Sequence, residues 1–175
     1  MIRLAHRRVA LALACLAVAT AGAGLKAQDA VVAPFGISDI ELAKSDYVEN
    51  CAGCHGNQGS SAPAKLPELR GRVGYFMCTP AARAYLIRLP NVAHSRITDN
   101  QQLADLMNFV VFVIGGASAP AGTQPFTAAE VAHERGFALT SVSLTGARAH
   151  YADEAVRKCH APASLRLFYP GEKMR

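Results

Sequence analysis

The pentapeptide Cys51-Ala52-Gly53-Cys54-His55 constrains this chain more than any other stretch. It places two thiols three positions apart and an imidazole directly after them. Such a group can bond the two vinyl positions on one edge of a haem through thioethers, with the histidine on the iron. It can also contribute to a zinc site or act as a thiol redox pair. A zinc site needs further ligands, for which Cys78 or the Cys159-His160 pair are the available residues. A thioredoxin-like pair needs a βαβ setting, and no alternating apolar pattern here is strong enough for a sheet. Three features favour haem c as the single covalent cofactor: an export signal, a helix running into the motif with Gly56 behind it, and a capped apolar helix downstream. On this reading Cys51 and Cys54 hold the haem and His55 is the proximal iron ligand.

The export signal is expected over residues 1–27. Arg3, His6, Arg7 and Arg8 form a basic start, Val9 to Ala23 is an apolar run, and small residues lead to a cut near Ala23 or Ala27. The run is short for a membrane span, which needs ~20 apolar residues. Cys15 lies too early in the run for a lipoprotein cysteine. Removal of the signal changes the charge argument. The whole chain carries +5, but without Arg3, Arg7, Arg8 and Lys26 it holds 14 basic against 13 acidic residues, about +1. There is no basic stripe with interleaved aromatics, so nucleic acid is excluded as a partner. The implied location is the periplasm, with no stable membrane span in the mature chain.

The rest of the chain reads as mainly α. Ser38 to Asn50 is expected to be a helix, with Ser38 and Asp39 as candidate caps and Ile40, Ala43, Tyr47 and Val48 on one face. Gly56 to Gly74 reads as a loop in which Leu66 and Leu69 point inward. A short helix over Ala81 to Leu89 begins near Thr79-Pro80 and stops at Pro90. Thr98 with Gln101 forms a capping-box pattern ahead of Leu103, Leu106, Met107, Val110, Val111 and Ile114, and Gly115-Gly116 ends that helix. After a small-residue linker, Thr127 with Glu130 opens another helix, and a last one is expected over Thr145 to Cys159. The predicted division is 1–27 for the signal, 37–116 for the motif-bearing domain and 117–175 for a C-terminal helical extension.

The helix into CAGCHG, the Pro-containing loop from Ala62 to Leu69 and the segment ITDNQQLADLMNFVVFV together resemble class I c-type cytochromes. The resemblance spans residues 37 to 115 and leaves the extension uncovered. It implies a cytochrome c-like helical bundle around one haem, with the first and last core helices crossing near Gly53 and Phe109. It also implies a distal methionine in the loop before the last core helix. Met77 is the methionine between His55 and Thr98, although it lacks the Met-Pro context of the family. His94, four residues before the expected cap, is the alternative distal ligand and would lower the potential relative to methionine. Met107 belongs to a core stripe.

The function implied is that of a monohaem electron carrier. It would take one electron from a dehydrogenase or quinol-side donor and pass it to a terminal oxidase or another cytochrome. The alternatives are a haem protein with an open sixth position, binding gases or acting like a peroxidase, and a cytochrome subunit of a dehydrogenase complex. Cys78 and Cys159 either form a disulfide or stay as two buried thiols. Arg70, Arg72, Arg83, Arg88 and Arg96 are candidates for pairing with haem propionates, as are Tyr75 and Tyr85. His133, His150 and His160 read as surface residues.

Overall fold

The computed structural model describes residues 34–61, 66–140, 143–169 and 172. The expected export signal and part of the Pro-containing loop lie outside the described residues. Among the described residues all regular structure is helical, and no strand occurs.

α1 (Ile40–Tyr47) starts at Asp39, whose carboxylate accepts the Leu42 N–H at 3.0 Å. Ser38 is not the cap. Its N–H donates to the buried carboxylate of Asp105 at 3.0 Å, and its hydroxyl donates to the same oxygen. The rod continues through a π-helical turn, Val48–Ala52, into α2 (Gly53–His55). The expected apolar face is corrected. Ala43, Asp46 and Tyr47 are buried, whereas Ile40 and Val48 are 39% and 52% exposed. Gln102 donates to Asp46 at 2.9 Å, so a polar contact holds a position that apolar periodicity would not select.

α3 (Pro80–Arg88) and α4 (Pro90–Ala93) follow a 3-10 segment, Val73–Cys78. Thr79 caps α3, accepting from Ala82 N–H at 3.2 Å, with Pro80 at the first helical position. Gly74 passes so close to a later loop that a Cβ would lie 2.3 Å from the Ala119 nitrogen.

α5 (Asn100–Asn108) is capped by Asp99, which accepts the Gln102 N–H at 2.8 Å. The cap lies one residue later than Thr98. A carboxylate is favoured there because the helix N-terminus carries partial positive charge. The helix runs on in a π-helical turn, Phe109–Ile114, and leaves it at Gly115. α1 and α5 meet where the rings of Tyr47 and Phe109 approach to 5.7 Å between centroids. Gly53 itself is exposed, with open space where a Cβ would lie.

The extension forms α6 (Ala128–Glu134), α7 (Leu144–Cys159) and a short 3-10 segment, Ala163–Arg166. Its buried residues Phe126, Val131, Ala152, Ala155 and Leu165 join the same core as α1, α3 and α5. Asn108, fully buried on α5, binds the Phe126 backbone twice. It accepts the N–H at 2.7 Å and donates to the C=O at 3.0 Å. Arg83 reaches Glu130 and the carbonyls of Gln124 and Pro125, with its guanidinium 4.3 Å from the Phe126 ring. Arg135 donates back to the carbonyls of Ala93 and Ile97, both at 3.2 Å. Cys78 and Cys159 form a disulfide across a Cα separation of 6.1 Å.

Candidate functional site

The helical rod sets the motif's geometry. Cys51 and Cys54 sit three positions apart on it, so their side chains are neighbours on one surface. Both are free thiols, the first half-buried and the second exposed. Gly56 then turns the chain sharply with φ 73°, and a Cβ there would lie 2.3 Å from the Ser60 carbonyl oxygen. The Tyr47 hydroxyl fixes that turn, donating to the Gly56 carbonyl at 2.7 Å. The returning loop brings the Pro67 carbonyl to 3.2 Å from His55 Nδ1.

That contact decides the histidine's tautomer. Nδ1 carries the hydrogen and donates it to Pro67, which leaves the Nε2 lone pair available to a metal. Burial holds the His55 pKa below its ordinary 6.5, so the ring is neutral near neutral pH. Cys51 is pushed up to about 11, first by burial and then by Asp46 and Cys54. A reactive disulfide-exchange cysteine needs the opposite shift, since the thiolate is the nucleophile. The motif is therefore poorly suited to thiol redox chemistry.

His55 opens onto a cavity of about 300 Å³. Leu66, Pro67 and Leu69 wall it on the loop side, and Val73 and Phe76 come from the 3-10 segment. α3 adds Tyr85, Leu86 and Leu89. Glu68 and Asn91 also line it, and the extension adds Leu144, Thr145 and Arg148 from α7, then Phe168 and Tyr169 from the tail. A largely apolar chamber lined by an oriented neutral imidazole suits a flat apolar group; Cys51 and Cys54 do not line it but neighbour each other on the turn that carries His55. The residues fit a covalent haem.

Of the residues singled out from sequence, Leu66 and Leu69 face this cavity as expected. Met77 is buried in the core and does not line the cavity. His94 is exposed at the end of α4 and does not line it either. Met107 is a core residue, and His133, His150 and His160 are exposed. The arginine cluster has other work. Arg70 donates to Gln58, Arg72 to the carbonyls of Ser164 and Leu167, Arg83 to Glu130 and Arg88 to Glu134. Arg96 is exposed, and none of the five lines the cavity. Tyr85 does; Tyr75 does not.

Sequence reasoning missed Arg148. A signal for it exists. Arg148, Ala152 and Ala155 recur at helical spacing and are the buried residues of α7, so the arginine lies on the inward face. The zinc alternative loses its ligands, because Cys78 and Cys159 are joined to each other. Among the described residues, no group of three or more His, Cys, Asp and Glu side chains is placed to hold a metal ion.

The chain is similar to two cytochromes c-552 of Thermus thermophilus. It is 25% identical to one over 132 residues, covering 64% of this chain and 89% of that one. It is 26% identical to the other over 115 residues, covering 56% and 88%. No family model matches the chain, and no solved structure matches it. The likeness supports a c-type cytochrome, and the helical architecture is of the cytochrome c-like kind expected from the sequence. Among the described residues no helix is long and apolar enough to cross a membrane.

Proposed function

We propose that this chain is an exported monohaem cytochrome c that carries single electrons in the periplasm. The observation that carries the reading is His55. It follows two free thiols, is held neutral with its Nδ1 hydrogen on the Pro67 carbonyl, and opens onto the apolar cavity. The likeness to cytochrome c-552 points the same way. Cys51 and Cys54 hold the haem by thioethers, and His55 Nε2 is the proximal ligand. When bound, the haem supplies a one-electron couple at its iron. The protein's part is to fix the imidazole, keep water from the apolar walls and hold the macrocycle in place. The donor is a dehydrogenase or a quinol-side protein, and the acceptor is a terminal oxidase or another cytochrome. Expression with a c-type maturation system tests this. The parent should be red and keep its colour through acid-acetone extraction. A Cys51→Ser/Cys54→Ser double variant should lose all covalent haem. A colourless parent would end the reading.

One observation favours a second reading. Neither Met77 nor His94 lines the cavity. A haem there would have an open or exchangeable sixth position, suited to binding a diatomic gas. The two readings part spectroscopically. A low-spin ferric spectrum with the thioether-to-iron charge-transfer band, lost in Met77→Ala, supports the carrier with Met77 as distal ligand. Loss of low-spin character in His94→Ala assigns that place to His94. A high-spin ferric form whose reduced state shifts with carbon monoxide supports the open site.

A further inference from the structure

Arg148 is 6% exposed, at the inner face of α7, and it lines the cavity that His55 opens onto. A buried guanidinium is costly unless charge or hydrogen bonds compensate it. Here compensation is slight. The hydrogen bond given to it is long, 3.5 Å from Nη1 to the Leu165 carbonyl. The Phe168 and Phe76 rings lie 4.8 and 5.7 Å from its guanidinium carbon. Among the described residues no carboxylate is within ion-pair distance of it. The ion pairs of Arg83, Arg88, Arg157, Lys158 and Arg166 lie elsewhere, and Glu68, which lines the cavity, is paired with Arg72 at 3.9 Å. Tyr85 and Glu172 favour the Arg148 cation, but less than burial and Arg72 oppose it. The Glu172 carboxylate is already engaged by the Phe168 and Tyr169 N–H groups. Arg72 is compensated by Glu68 and the Ser164 and Leu167 carbonyls, and only its buried Nε lacks a hydrogen-bond partner. At this corner of the cavity the buried Arg148 guanidinium has unused donors next to apolar walls.

Such a corner is built to receive an anionic oxygen. A guanidinium presents a planar fork that matches a carboxylate. We propose that Arg148 anchors a carboxylate inside the cavity, and that this carboxylate is a propionate arm of the haem; the proposal rests on the haem reading above. The residue that neutralises the cofactor then comes from the C-terminal extension, not from the arginines around the motif loop. It couples docking of α7 to the electrostatics of the iron. A free carboxylate ligand offers the same chemistry and is the competing source.

The test uses exported holoprotein, with Arg148→Leu and Arg148→Lys beside the parent. Haem per chain is measured first, then the midpoint potential across pH, then the spectrum during acetate titration. Removing a buried cation destabilises the more negative reduced state. In Arg148→Leu, with haem content unchanged, the oxidation equilibrium should shift about tenfold toward the ferric form, a fall of ~59 mV for one electron. The potential should also become pH-dependent near neutrality, because the unpaired propionate binds a proton on reduction. Arg148→Lys should recover most of both effects, and acetate should leave the parent spectrum unchanged. Should the leucine variant fail to fold, Arg148→Gln removes the charge, keeps a donor and is expected to shift the potential the same way. An acetate response that saturates in the parent and vanishes in the variant would overturn the propionate assignment. Parent-like potentials at every pH in the folded neutral variants would overturn the anchor itself while leaving the haem reading intact. A parent without haem would overturn both.

Discussion

The α1–α5 pair and the C-terminal extension both combine apolar packing with polar ties, yet only the extension is also pinned covalently. α1 and α5 meet through Tyr47 against Phe109, with Leu103, Leu106, Val110 and Val111 in the core, and through two polar ties, Gln102 to Asp46 and Ser38 to Asp105. The extension also buries apolar residues, but polar and covalent ties fix its position. Asn108 holds Phe126, Arg83 holds the strap before α6, Arg72 holds the tail, and the disulfide pins the end of α7. Apolar contact alone tolerates sliding, whereas the disulfide and the paired Asn108–Phe126 hydrogen bonds hold the extension in one register. That matters because the extension supplies one wall of the cavity. A wall that carries a buried guanidinium has to be placed accurately.

The contrast can be broken most forcefully at the disulfide. A Cys78→Ser/Cys159→Ser variant should lose roughly 2–5 kcal/mol in chemical denaturation, since the bridge closes a long loop. Limited proteolysis should then cut near α7 first. A cut that appears first in α1 would reverse the comparison. Asn108→Ala comes next. It leaves a buried N–H and C=O at Phe126 unpaired and should cost about 2–6 kcal/mol, each unsatisfied group being worth about 1–3. Hydrogen exchange should rise at Phe126 before it rises in α1. Arg83→Met keeps length but removes charge-assisted bonds to Glu130, and should lower stability by about 1–3 kcal/mol. A loss confined to α6 would sharpen the comparison.

The smallest effect concerns acid. Asp153 and Glu154 have pKa values held below 3.8 and 4.5, chiefly by hydrogen bonds from Arg166 and Lys158. Depressed carboxylates stabilise the fold above their unfolded values, and that contribution fades as pH falls through the folded ones. Both are surface groups, so screening keeps the gain small. Thermal melts of Asp153→Asn should show a slightly lower stability at pH 7 and a slightly shallower acid slope below about pH 4, so that the difference from the parent fades at low pH.

Much of the fold was legible because it follows local rules. Pro80 at a helix start, Thr127 as a cap and the apolar stripe of α5 each act within a few residues. The errors came where tertiary contacts outweighed them. Asp99 displaced Thr98 as the cap. Ser38 was taken by Asp105, a pairing across 67 residues. Ile40 and Val48 looked inward by period, yet Asp46 took the buried place through Gln102. The site divides the same way. Cys51, Cys54 and His55 are adjacent, so their chemistry is written in one stretch. Pro67 and Arg148 reach the cavity only through folding, and no spacing to the motif announces them. The arginines near the motif were plausible anion partners by sequence distance, but four of them are committed to polar contacts elsewhere.

The central claim is that the two motif thiols are consumed by one haem while the other two cysteines are consumed by each other. Intact-mass analysis of the exported chain, alkylated under non-reducing denaturing conditions, tests it directly. The account predicts a mature chain carrying the mass of one haem, with no alkylated cysteine among Cys51, Cys54, Cys78 and Cys159. A haem-free chain alkylated at Cys51 and Cys54, or one with those two joined to each other, would contradict it.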